Sequence, residues 1–135
     1  GTFGYEMDLT SLPDAELEAI AGQVAFFKEH APLLHNGDLY RLIAPYGHRR
    51  AAWMSVSADR AHAIVGDYVI LGQPNRGKSR LYLRGLDAEA RYHAASTDGR
   101  FEATRSGGEF MRIGIDDSDL GPDFASRIYL VDRVD

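Results

Sequence analysis

The hydrophobic period of this chain changes once, near Gly37, and that change constrains the fold more than any other feature. Before Gly37, Leu17, Ile20, Val24 and Phe27 recur at the helical spacing of about 3.6 residues. After it, apolar residues alternate strand-fashion to the last residue, Asp135. The opening Gly1-Thr2-Phe3-Gly4-Tyr5-Glu6 has the make-up of a short strand with no start. A lone strand and a lone helix bury their apolar faces poorly. Residues 1–36 are therefore expected to be the last strand–helix unit of an upstream domain, and residues 37–135 an all-β domain attached to it. Unless something covers it, the 1–36 segment should expose an apolar face.

Within the first segment, Ser11-Leu12-Pro13-Asp14 reads as a helix start, with Ser11 as the cap and Pro13 in the first turn. Pro32 should end or bend the helix, and Asn36-Gly37-Asp38 should turn the chain. Strands are then expected over 39–44, 51–57, 62–71, 78–84, 90–95, 101–105 and 123–134, with 110–115 also extended. The third is apolar on both faces, which suits a central strand. Leu81 and Leu83 should point inward, and Phe124, Ile128 and Leu130 should share one face of the last strand. About eight short strands with regular turns predict a mainly β fold, an antiparallel β-sandwich of Greek-key type.

The charge balance excludes several classes of function. Fifteen Lys and Arg against twenty Asp and Glu leave a net charge of −5, and the basic residues are scattered, so nucleic acid is not an expected partner. No run approaches the roughly 18 apolar residues of a membrane span, and no signal-peptide pattern is visible in the opening residues. With no cysteine there is neither a disulfide framework nor a thiolate metal site. That fits a reducing compartment, and a cytoplasmic location is the expectation.

Several motifs invite chemistry, and each has a plainer reading. Gly72-Gln73-Pro74-Asn75-Arg76-Gly77-Lys78-Ser79 matches the phosphate-binding loop letter for letter. Such a loop must open a helix, whereas Arg80-Leu81-Tyr82-Leu83-Arg84 alternates like a strand, so a hairpin loop is favoured over nucleotide binding. Asp117, Asp119 and Asp123 offer calcium-type oxygen ligands, but the spacing departs from the EF-hand and a solvated turn is favoured. His30, His35, His48, His62 and His93 include no pair four residues apart, so no metal site is assigned. Trp53, Tyr40, Tyr68, Tyr82, Tyr92 and Tyr129 fall on expected strands, where packing is commoner than a sugar-stacking platform. No pair of carboxylates is placed for glycoside cleavage. No catalytic, cofactor-binding or metal-ligating residue is assigned, and no cofactor is expected.

An ordered set of segments nevertheless carries a resemblance. Gly1 to Leu9, Phe26-Phe27-Lys28-Glu29-His30, Gly37-Asp38-Leu39-Tyr40-Arg41-Leu42, Ala51-Ala52-Trp53-Met54, Leu81 to Asp87 and Asp123-Phe124-Ala125-Ser126-Arg127 resemble, in order, the tail of bacterial α-galactosidases of glycoside hydrolase family 36. The resemblance implies a parent with an N-terminal β-supersandwich, a catalytic (β/α)8 barrel and a C-terminal β-sandwich. Residues 1–36 would be the last strand and helix of that barrel, and 37–135 the sandwich. It also implies retaining hydrolysis of terminal α-galactosides such as melibiose and raffinose by two aspartates. Both belong to barrel strands upstream, and no residue of this chain matches either motif. The chain alone is thus expected to be inactive. Its expected partner is the upstream barrel of the same protein, with α-galactoside a substrate of the parent only and a homo-oligomer a further expectation. An independent carbohydrate-binding module and a nucleotide-binding protein are the alternatives.

Overall fold

The structure, a computed structural model, describes residues 3–47, 49–74 and 77–135. A 3-10 turn, Leu9–Ser11, leads into helix α1, Asp14–Asn36. Strands β1 (Asp38–Ile43), β2 (Arg50–Val56), β3 (His62–Val69), β4 (Arg80–Leu81), β5 (Arg91–Ser96) and β6 (Glu102–Ser106) follow. A short helix α2 (Gly107–Arg112) precedes β7 (Ile115–Asp116) and β8 (Ser126–Arg133). Every strand pairing is antiparallel. Six strands form one sheet in the order β1-β2-β3-β8-β5-β6, and β4 pairs with β7 in a small second sheet. β3 is central, as its two apolar faces require.

The core lies on one face of the large sheet. Met54, Val56, Val65, Tyr92, Tyr129 and Val131 project from it, and Leu81, Leu83, Leu86, Phe110 and Ile115 cover them from the thin second layer. Leu81 and Leu83 are inward as expected. On the opposite face Trp53 stacks on Tyr68, ring centroids 4.6 Å apart. Trp53 lies opposite Gly66 in the register, and a Cβ on Gly66 would stand 2.7 Å from the Tyr68 ring. The glycine thus leaves room for the Tyr68 ring to lie over the strand.

Several expectations are corrected. Residues 110–115 do not form an extended segment: Phe110 lies in α2. The reason is a capping box, in which the Ser106 side chain accepts from the Glu109 amide while the Glu109 carboxylate accepts from the Ser106 amide. Gly107 is needed there because a Cβ would sit 2.0 Å from the Asp87 carbonyl oxygen. The expected 78–84 strand shrinks to Arg80–Leu81, since only those two residues find a partner strand, β7. Ile128 and Leu130 share the half-buried outer face of β8, while Arg127, Tyr129 and Val131 face the core. Phe124 does not join the Ile128 row: it precedes β8 at φ 60° and is 80% exposed.

The first segment differs too. Ser11 does not cap α1: it lies in the 3-10 turn, which Asp8 caps by accepting from the Thr10 amide, and Pro13 takes the N-cap position. α1 continues past Pro32 to Asn36, because Pro32 falls one turn from the end and the Leu33 carbonyl is held by the Gly37 amide and the Ser55 hydroxyl. Gly1 and Thr2 of the expected opening strand lie outside the described residues. Phe3 to Glu6 are not in a strand, since no neighbouring strand is there to pair with them. Instead Phe3 stacks on Phe27 at 5.0 Å and the Tyr5 hydroxyl donates to Gln23, so the segment folds back on α1.

Candidate functional site

Two sequence motifs that look unrelated meet at one end of the sheet. The glycine-rich segment 72–79 and the acidic segment 116–123 are stitched together by backbone and side chain. The Gly72 amide donates to the Asp123 carboxylate, the Ser79 amide donates to the Ser118 hydroxyl at 2.9 Å, and the Asp117 amide donates to the Ser79 carbonyl at 3.4 Å. Arg50, at the start of β2, pins both. Its Nε donates to Asp67 Oδ1 at 2.6 Å, one terminal nitrogen donates to the Ser79 hydroxyl at 2.8 Å, and the other to the carboxylates of Asp67 and Asp117.

Asp67 and Asp117 are fully buried, so this is an interior charge cluster. Asp67 takes its place because it alternates with Ala63, Val65 and Val69 on the core face of β3. Two carboxylates stripped of water need the guanidinium as counter-charge. The acidic loop is therefore not simply a solvated turn: Asp117 is internal, Asp119 accepts a two-pronged bond from Arg127, and Asp123 anchors Gly72. Its three candidate calcium ligands are occupied by different partners. Among the described residues, no group of three or more His, Asp or Glu is arranged to hold a metal ion.

A second arginine works differently. Arg127 is buried on β8, but its partners Asp98 and Asp119 are partly solvated. Burial works against the Asp98 carboxylate, yet the Ser96 hydroxyl and Arg127 outweigh it and bring its pKa to about 2. The hydrogen bond from Arg127 likewise lowers Asp119, and the Asp119 carboxylate raises Arg127 in return.

The glycine-rich segment does not open a helix. Asn75 and Arg76 lie outside the described residues, but Ser79 leads straight into β4. Nor is it a hairpin: β3 and β4 belong to different sheets, so the segment is a crossover between layers. Beside it lies a cleft of about 540 Å³, bordered by the 72–79 and 116–123 segments and by Arg49 and Arg50. A second cleft, about 610 Å³, separates the end of α1 from the outer sheet face, with the His62–Asp132 pair (2.8 Å) at its border.

The remaining expected candidates scatter. His30 and His35 pack on Phe26 and Phe27 of α1, His93 faces Glu102 at 3.6 Å, and His48 lies outside the described residues. Tyr92 and Tyr129 are core, whereas Trp53 and Tyr82 are exposed. The sequence reading missed the Arg50 cluster. Its signal was Asp67, a carboxylate set in the apolar run of β3.

α1 is the other unusual feature. In 23 residues it buries none completely, although Leu17, Ile20, Val24 and Phe27 lie along it. No helix among the described residues is long and apolar enough to cross a membrane.

Comparison with known proteins places these features. Residues 50–131 match the model of the glycosyl hydrolase family 36 C-terminal domain. The chain is 36% identical to alpha-galactosidase AgaA of Geobacillus stearothermophilus over 134 residues, which are 99% of this chain and 18% of that protein. It is 32% identical to alpha-galactosidase 1 of Pediococcus pentosaceus over 96% of this chain and 17% of that one. A crystal structure of an AgaA variant in complex with raffinose superposes with a TM-score of 0.89 over 98% of this chain and 18% of that one, at 36% identity. The chain thus spans less than a fifth of the length of the relatives it matches. The chain belongs to glycosyl hydrolase family 36, and what it matches is that family's C-terminal domain.

Proposed function

We propose that this chain is the non-catalytic C-terminal region of an α-galactosidase, with residues 37–135 as the accessory sandwich and residues 1–36 as the closing strand and helix of the catalytic barrel. The observation that carries this is α1. Its apolar row, Leu17, Ile20, Val24 and Phe27, is only half-buried, which leaves part of that row for a partner to cover. Exposed Phe3, Met7 and Leu9 extend that surface. The relatives supply a partner of the right kind, because most of their length lies outside the matched region.

In this reading the parent cleaves terminal α-galactosides with retention, through two carboxylates that lie upstream of this chain. The sandwich supports the barrel and supplies no acid, base or nucleophile. Its possession of a complete core explains how it serves as a rigid buttress.

The test is direct. The purified 135-residue chain should release no aryl alcohol from an aryl α-galactoside, while the chain joined to an upstream family 36 barrel should. Turnover that copurifies with the 135-residue chain through successive columns contradicts the proposal. So does full activity of a barrel that lacks residues 1–36.

A further inference from the structure

The large sheet is apolar on both faces, not on the core face alone. An antiparallel sheet with one solvated face carries polar side chains there. Here Leu39, Trp53, Ile64, Tyr68, Ile128 and Leu130, from four neighbouring strands, share the outer face. Their register makes them contiguous. Leu39 lies opposite Ser55, Ser55 opposite Ile64 and Ile64 opposite Leu130, while Trp53 lies opposite Gly66 and Gly66 opposite Ile128. Ile64 is buried, yet Trp53 is 43% exposed and Leu39 62%. The Trp53–Tyr68 stack forms the centre of this patch, with Arg41 and Ser126 at its border. An aromatic anchor inside a polar border is the anatomy of a protein–protein contact.

The attachment of α1 selects the occupant. The end of α1 is fixed to this same face, against β2 and β3. A single residue, Gly37, separates the last residue of α1, Asn36, from the first of β1, Asp38. The Leu33 carbonyl accepts from the Gly37 amide at 2.9 Å and from the Ser55 hydroxyl at 2.9 Å. A Cβ on Gly37 would stand 2.5 Å from the Leu33 carbonyl oxygen and 2.6 Å from Ser55 Oγ, so the joint is packed to backbone contact. With no slack in the joint, a body that covers the rest of the α1 row is held beside the outer face. The exposed patch adjoins that joint: Trp53 follows Ser55 along the outer face of β2, and Ile128 follows Leu130 along that of β8. A second copy of the chain offers no comparable fit. Two such sheets stacked face to face lie about 10 Å apart, and the α1 helices, each about 10 Å across, would have to share that gap.

We infer that the outer sheet face centred on Trp53 and Tyr68 is the seat of the same body that covers α1, the catalytic barrel of the parent, so that helix and sheet form one continuous interface. The inference rests on the role proposed for residues 1–36 and adds the sheet to it. The barrel surface that meets the Trp53–Tyr68 stack is apolar, with a hydrogen-bond acceptor for Arg41 at its margin.

The chain has no cysteine, so a single introduced thiol reports on one position. Three variants serve: Arg41→Cys beside Trp53, Val24→Cys in the α1 row, and Arg84→Cys, an exposed position next to Leu83 of the second layer. Each is labelled with a maleimide under native conditions, once in the 135-residue chain and once in the chain joined to a cysteine-free family 36 barrel. Joining the barrel should slow the labelling of Arg41→Cys and of Val24→Cys about tenfold or more and leave that of Arg84→Cys unchanged. If Val24→Cys is slowed and Arg41→Cys is not, the inference is overturned while the role of α1 stands. If neither is slowed, both are overturned. Protection of Arg41→Cys in the 135-residue chain that grows with protein concentration also overturns the inference, because a second copy then covers the face.

Discussion

The body of the domain and its leading helix solve the burial problem in opposite ways. In the body, Tyr92, Tyr129, Phe110 and Met54 are fully enclosed, and even the interior charges of Asp67 and Asp117 have their counter-ion. In α1, none of twenty-three residues is completely buried, and near the helix end the Leu33 carbonyl accepts from the Ser55 hydroxyl of the sheet. A helix gains most of its stability from packing its apolar face. The body thus closes its own core, whereas the helix leaves its apolar row incompletely buried.

A related contrast holds within the body between two arginines, Arg50, which is half-buried, and Arg127, which is buried. Arg50 bonds two carboxylates that water cannot reach, and Arg127 holds two that water can. The largest effect should come from breaking the first. Arg50→Ala leaves two buried carboxylates without a cation and should cost about 3–5 kcal/mol in urea unfolding. A loss below about 1 kcal/mol would mean that the cluster is solvated in solution. Phe110→Ala should cost a similar amount, about 3–5 kcal/mol, because it empties the centre of the core.

Arg127→Gln should cost less at neutral pH, since Asp98 and Asp119 can be hydrated when released. Its signature lies in acid. Both carboxylates have lowered pKa values in the folded state, so their contribution is complete above the ordinary value of 3.8 and is lost as pH falls. For Asp98 the loss extends down to about pH 2. Stability measured by circular dichroism should fall across that window in the parent chain and less steeply in Arg127→Gln. Equal slopes would remove the pairing from the account.

The smallest effect belongs to the helix. Ile20→Ala and Val24→Ala should each change the stability of the 135-residue chain by no more than about 0.5 kcal/mol, although both remove apolar side chains. The same changes should weaken association with an upstream barrel. A loss of 2 kcal/mol or more in the isolated chain would place α1 in a core of its own and erase the contrast.

How much of this was legible in the sequence follows the same division. The apolar runs of β2, β3 and β8 report strands because each packs on a continuous layer, and those strands lie close to where the pattern puts them. The incomplete burial of the first segment was also legible, because an apolar helical row beside an all-β domain finds only partial cover: Leu17, Ile20, Val24 and Phe27 are half-buried. α2 was masked by the alternating Met111-Arg112-Ile113-Gly114-Ile115, although Ser106 and Glu109 carried the capping signal three residues apart. Asp117 was hidden among Asp116, Ser118 and Asp119, where nothing local distinguishes the buried carboxylate from its exposed neighbours. Its burial is decided by Arg50, sixty-seven positions away. Phe124 was misplaced because an apolar residue next to a strand looks like part of the strand's row, whereas φ 60° turns it out of line with Ile128 and Leu130.

The contrast between body and helix can be measured in one experiment, amide hydrogen exchange on the 135-residue chain and on the chain joined to its barrel. The amides from Leu17 to Phe27 should exchange many-fold faster than those of β3 in the 135-residue chain and become comparably protected when the barrel is present. If they are already as protected as β3 in the 135-residue chain, α1 needs no partner and the proposed role of residues 1–36 is wrong.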